Sequence, residues 1–113
     1  MRDRHDDVVG RLAEACRAGD VDAIRAVLAA NAVVVCDGIG RGAVHGADRA
    51  ARLIALLLGG DPGLGLASVN GSAGLVRRRA GRAVAVAAVE IAVDRVAAVW
   101  IVVNPAKLGH WTW

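Results

Sequence analysis

Two apolar runs, residues 83–93 and 96–103, constrain this chain more than any other feature, because only Asp94-Arg95 separates them. Both are rich in Val, Ala and Ile, and β-branched residues in short runs around a polar break predict strands rather than helices. A two-residue turn at Asp94-Arg95 sets Val93 opposite Val96. One face of the hairpin then carries Val84, Val86, Ala88, Glu90 and Ala92 with Ala97, Val99, Ile101 and Val103. The other carries Ala85, Ala87, Val89, Ile91 and Val93 with Val96, Ala98, Trp100, Val102 and Asn104. A hairpin wet on one side alternates apolar with polar, whereas this one is apolar on both sides. Both faces therefore need cover, one from the chain's own helices and the other from a second subunit, so a homodimer is expected.

The helices are legible upstream. Val8, Val9, Leu12, Ala13 and Cys16 recur at helical spacing over residues 6–18, and Gly19 ends that helix. Asp20 is placed to cap a second helix whose apolar stripe is Val21, Ile24, Val27 and Leu28. Residues 32–36 read as a short strand running into a glycine-rich loop, residues 37–42. A third helix opens at Ala47, buries Ala50, Leu53, Ile54, Leu57 and Leu58, and stops at Gly59-Gly60-Asp61-Pro62-Gly63. Residues 64–69 and 74–79 are then joined by Asn70-Gly71, a favoured hairpin pair, and Ala80-Gly81 turns the chain into the long hairpin. The order predicts one α+β domain over residues 1–113, with three helices segregated from a curling, mostly antiparallel sheet.

A chain of 113 residues that is 56% hydrophobic can bury one core without staples. It has no Phe or Tyr, so Val, Ala, Leu and Ile must fill that core. The net charge of +3 comes almost wholly from arginine, Lys107 being the single lysine. The arginines 77, 78, 79 and 82 straddle a hairpin turn without interleaved aromatics, a solvated edge rather than a nucleic-acid surface. Three scattered histidines and two isolated cysteines have no metal-ligand spacing, and no phosphate loop or dinucleotide fingerprint occurs, so no metal or cofactor is expected. No apolar run reaches membrane length, and the charged residues 1–7 precede no signal-like core, which predicts a soluble, cytoplasmic protein.

The helix pair about Gly19-Asp20, the strand and loop ending Asp37-Gly38-Ile39-Gly40-Arg41, the helix start Val44-His45-Gly46-Ala47-Asp48-Arg49 and the tail Asn104-Pro105-Ala106-Lys107-Leu108 together resemble a known domain. This is the SnoaL-like domain appended to certain extracytoplasmic-function sigma factors, a member of the nuclear transport factor 2-like superfamily. The resemblance covers essentially the whole chain and implies three helices against a cone-shaped sheet. Asp37, Gly38 and Gly40 match that family's Asp-Gly-Gly-Gly-Lys loop, with Arg41 a like-charge replacement and Ile39 a departure. The family tail reads Asn-Pro-Asp-Lys-Leu, so Asn104, Pro105, Lys107 and Leu108 match while Ala106 lacks the acid. The helical sigma domains have no counterpart in these residues.

Two functions follow from the resemblance. Free-standing relatives include ketosteroid isomerases, polyketide cyclases and epoxide hydrolases, which implies a pocket for a small apolar metabolite. In that reading Glu90 or Asp37 serves as base, His45 as acid, and Asn104 with Trp100 positions substrate. An acid among aliphatics is desolvated and becomes a better proton acceptor near neutral pH, the chemistry Glu90 would supply. The alternative is a non-catalytic regulator that contacts a sigma factor or another protein through Asp37, Gly38, Gly40 and Arg41 together with Asn104, Pro105, Lys107 and Leu108. The two readings separate on whether the acids converge in an internal hollow.

Overall fold

The computed structural model describes residues 4–37 and 42–103. In chain order it has helices α1 (Arg4–Ala18) and α2 (Val21–Val27), strands β1 (Leu28–Asp37) and β2 (Ala43–His45), and helix α3 (Ala47–Leu58). Strands β3 (Gly65–Val69), β4 (Ser72–Arg79), β5 (Arg82–Ala92) and β6 (Arg95–Val102) complete it. The strands form one six-stranded sheet in the order β2-β1-β6-β5-β4-β3. Among the described strands only the β1–β6 pair is parallel. This is the expected α+β arrangement, three helices on a mostly antiparallel sheet. No helix in the described residues is long and apolar enough to cross a membrane.

The local chemistry explains the joints. The Asp20 side chain accepts from the Ala23 N–H at 3.1 Å, so α2 starts one residue after α1's terminal Gly19. Gly19 adopts φ 67° there, a left-handed conformation that costs a glycine little. At the far end of α3, the Gly60 N–H donates to the Cys16 carbonyl at 2.9 Å and stitches that terminus to α1. Arg77 of β4 donates to the Leu57 carbonyl at 2.8 Å and lies 3.7 Å from the Asp61 carboxylate. One arginine of the cluster is thus a structural tie on the helix side, whereas Arg78 reaches over Gly65. Asn70-Gly71 and Ala80-Gly81 both sit at positive φ, as the two expected turns require.

All three helices cover one face of the sheet. Val8, Val9, Leu12 and Cys16 of α1, Ile24 of α2, and Ala50, Ala51, Ile54 and Leu58 of α3 bury themselves on Val34, Leu75, Ala85, Ala87, Val89, Val99 and Ile101. No buried residue among those described is polar or charged. The opposite face holds a smaller cluster, Val69, Val76 and Val86, with Ala67, Ala83, Ala88 and Val102 around it.

Three expectations need correction. Leu28 is not on the α2 stripe: it caps that helix in extended conformation and opens β1 four residues before the expected start. The segment before α3 is not all loop, since Ala43–His45 adds an antiparallel edge strand to β1. Most consequentially, the long hairpin turns at Val93-Asp94, with Ala92 opposite Arg95, and a bulge at Ala97 adds one residue to β6. Val86 therefore faces Val102, Ala88 faces Trp100 and Glu90 faces Ala98. A slip of one residue exchanges the faces of a strand. Glu90 thus shares its face with Ala98 and Trp100 instead of Val99 and Ile101, and that face is turned away from the helices.

Candidate functional site

The helix-free face gathers most of the residues singled out for chemistry. Paired residues on neighbouring strands point to the same side, so the ladder can be read across the sheet. One rung runs His45, Val33, Ala98, Glu90 over β2, β1, β6 and β5. The next runs Ala43, Val35, Trp100, Ala88. A third carries Asp37, Val102, Val86 and Val76 across β1, β6, β5 and β4.

Glu90 and His45 are both exposed and stand three strand spacings apart, on the order of 14 Å between their backbones. Asp37 lies two rungs from either of them, half-buried at the end of β1. The three residues share a face but do not converge within hydrogen-bond reach. Trp100 is 43% exposed in the middle of this face. Asn104, Gly38, Gly40, Arg41, Pro105, Lys107 and Leu108 lie outside the described residues.

The parallel pairing of β1 with β6 fixes where the two motif segments begin. Asp37 pairs with Val102, and the Val103 N–H donates to the Asp37 carbonyl at 2.9 Å. Because these strands run in the same direction, both segments leave the sheet at the same end, from adjacent strands. The sequence offered no signal for this, as a parallel neighbour far along the chain leaves no local periodicity.

Two concavities open elsewhere. A shallow cleft of about 560 Å³ lies between the start of α1 and the β3–β4 hairpin, lined by His5, Leu66, Ser68, Ser72 and Ala73. His5 Nε2 is 2.9 Å from the Ala73 carbonyl there, a tether that helical periodicity alone did not reveal. A second, of about 390 Å³, lies at the start of α3 against His45, Gly46, Asp48 and Arg49. Asp48 is held by Arg25 at 3.2 Å. Neither cleft includes Glu90, Asp37 or Trp100. Among the described residues, no three His, Cys, Asp or Glu side chains are grouped as metal ligands.

The sequence matches no protein-family model and no curated protein. Solved structures do resemble it. The extracytoplasmic-function sigma factor SigJ of Mycobacterium tuberculosis is 31% identical over 94% of this chain, with a TM-score of 0.70. The aligned part is 44% of that sigma factor, so this chain spans less than half of its length. An NTF-2 like protein of unknown function from Burkholderia xenovorans is 16% identical, with 97% of this chain and 94% of that one covered and a TM-score of 0.67. A putative ketosteroid isomerase from Kribbella flavida is 10% identical, with 88% and 76% covered and a TM-score of 0.65. Helix order, sheet order and these likenesses agree: the chain is a domain of the nuclear transport factor 2-like fold, SnoaL-like in kind.

Proposed function

We propose that this chain is a non-catalytic docking module that binds a protein partner of the sigma-factor class. The contact is made by the two segments that follow Asp37 and Val103. The observation that carries this reading is the Val103 to Asp37 hydrogen bond within the parallel β1–β6 pair, which starts both segments side by side. Each segment brings one cation, Arg41 and Lys107, so the matching partner surface is one that presents carboxylates. The likeness to a sigma factor supports the class of partner.

The metabolite-binding, acid/base reading needs a polar group aimed into a hollow between helices and sheet. The described interior is apolar, with the Cys16 thiol its one group that is not hydrocarbon, and Glu90 and His45 stand exposed on the far side. Nothing in the described geometry favours turnover over docking.

Binding of the purified chain to the helical domains of an extracytoplasmic-function sigma factor, measured by interferometry, tests the proposal. Saturable binding is expected, weakened roughly tenfold or more by Arg41→Glu with Lys107→Glu and unaffected by Glu90→Gln. Circular dichroism controls for folding. Absence of saturable binding, or indifference to the charge reversals, overturns it.

A further inference from the structure

The four arginines about the Ala80-Gly81 turn are not equivalent. Arg77 is engaged by the Leu57 carbonyl and Asp61, and Arg78 reaches over Gly65. Arg79 and Arg82 are exposed and sit directly opposite each other in the ladder. Neither makes an ion pair or side-chain hydrogen bond with another described residue. Opposed residues in an antiparallel pair hold their Cβ atoms about 4.5–5.5 Å apart, and like charges there repel.

The sheet order removes the simplest reason for such a pair. Charged residues guard the edges of sheets, but β4 and β5 are interior strands in the order β2-β1-β6-β5-β4-β3. Their turn nevertheless stands clear of the neighbouring described strands, because β3 begins at Gly65 opposite Val76 and β6 reaches Val102 opposite Val86. Residues 77–85 project as a two-stranded ribbon, with Arg79 about 10 Å beyond the rung of Val76 and Val86. Positive φ at both Ala80 and Gly81 makes the turn a tight two-residue one, so the pair is held in place.

Strand direction decides where the ribbon points. β5 is antiparallel to both β4 and β6, so β4 runs the same way as β6 and β1. The ribbon therefore leaves the sheet at the end where the segments after Asp37 and Val103 begin. Val102 lies two strand spacings from Val76, about 10 Å. A standard interface of roughly 800 Å² per partner is about 30 Å across, enough to cover the segment origins and the ribbon tip together.

We propose, resting on the docking role already argued, that Arg79 and Arg82 form a third contact of that surface and clamp two carboxylates one turn apart on a helix of the partner. Side chains three or four residues apart on a helix have Cβ atoms about 5–6 Å apart, which matches the spacing of the arginine pair. Each guanidinium presents a planar fork of N–H donors that a carboxylate accepts bidentately. The repulsion within each like-charged pair is relieved by the other. Nucleic acid fits less well: two cations neutralise two phosphates at most, and the carboxylates of Asp37 and Asp61 lie toward the same end of the sheet.

Interferometry against the helical domains of an extracytoplasmic-function sigma factor separates this contact from the docking role itself. Arg79→Gln with Arg82→Gln should weaken binding roughly tenfold, and Arg79→Glu with Arg82→Glu about a hundredfold. The Gln pair should at the same time raise Tm by about 1–3 °C, because it removes the opposed charges. Changing the partner's one-turn-apart acid pairs to amides, a pair at a time, should find one whose loss has no further effect once Arg79 and Arg82 are Gln. Binding that is indifferent to both double variants overturns the proposal and leaves the docking role standing, whereas absence of saturable binding by the unaltered chain overturns both. A lower Tm for the Gln pair makes the arginines structural and overturns the proposal. Retention of a mixed-sequence DNA duplex that the Glu pair abolishes, with sigma binding unchanged, assigns the tip to phosphates and overturns it as well.

Discussion

Replacing Val93 by Asn tests where the β5–β6 hairpin turns. Val93 occupies the first position of the β5–β6 turn at φ 61°, where a β-branched side chain is strained by about 1–2 kcal/mol. Asn tolerates that conformation and removes most of the cost. The residue is 78% exposed, so the burial forfeited is small, about 0.3–0.4 kcal/mol. The net gain is about 1 kcal/mol, and for a chain of 113 residues this raises Tm by about 4 °C. Val93→Gly should gain less, about 0.5 kcal/mol, because glycine also loosens the unfolded chain. Thermal unfolding followed by circular dichroism reads both. With the turn at Asp94-Arg95, Val93 would be the last extended residue of a strand, and Asn there would cost up to about 1 kcal/mol. A fall in Tm on Val93→Asn therefore refutes a turn that begins on Val93.

Other perturbations probe separate joints. A Cβ at Gly74 meets the Ala87 carbonyl and stands 2.7 Å from Val69 Cγ2, so Gly74→Ala should destabilise by about 1–2 kcal/mol and lower Tm by about 4–8 °C. Asp20→Ala removes the acceptor for the Ala23 N–H and should cost about 1 kcal/mol by chemical denaturation. Burial pushes the Cys16 thiol from 9.0 up to about 12, against a smaller opposing pull from Arg17. The unfolded thiol ionises first, so this contribution to stability is whole below pH 9.0 and lost as pH rises toward 12. The loss approaches about 1.4 kcal/mol per pH unit within that window, and Cys16→Ala should flatten the alkaline limb of stability against pH. Native Cys16 should also resist alkylation at neutral pH until denaturant is added.

The parts of this fold that were legible from sequence are those where one residue settles the geometry alone. Asp20 after Gly19 marks a capped corner, Asn70-Gly71 and Ala80-Gly81 supply positive φ, and Ala50, Ile54 and Leu58 repeat at the helical period. The long hairpin was legible as a hairpin but not in register. A turn that begins on Val93 runs against the preference of a β-branched residue, and an alanine bulge among alanines carries no mark. The bulge decides which β6 residues share a face with Glu90, Ala98 and Trp100 rather than Val99 and Ile101. Strand β2 was too short to show alternation, and the β1–β6 pairing joins residues more than sixty positions apart.

The missing aromatics bear on function more than their scarcity suggests. A pocket between helices and a curved sheet persists only when bulky side chains hold the layers apart around it. Here the facing positions are short on both sides: Ala13, Ala50 and Ala51 on the helices, Ala85 and Ala87 on β5, Ala32 on β1. Short side chains let the layers close until Val, Leu and Ile fill the space between the described helices and strands. The one large aromatic among the described residues, Trp100, was sent by the bulge at Ala97 to the opposite face, where it is 43% exposed. The parallel pair of β1 and β6 carries Trp100 on that face beside Val35, and at its end the Val103 N–H donates to the Asp37 carbonyl.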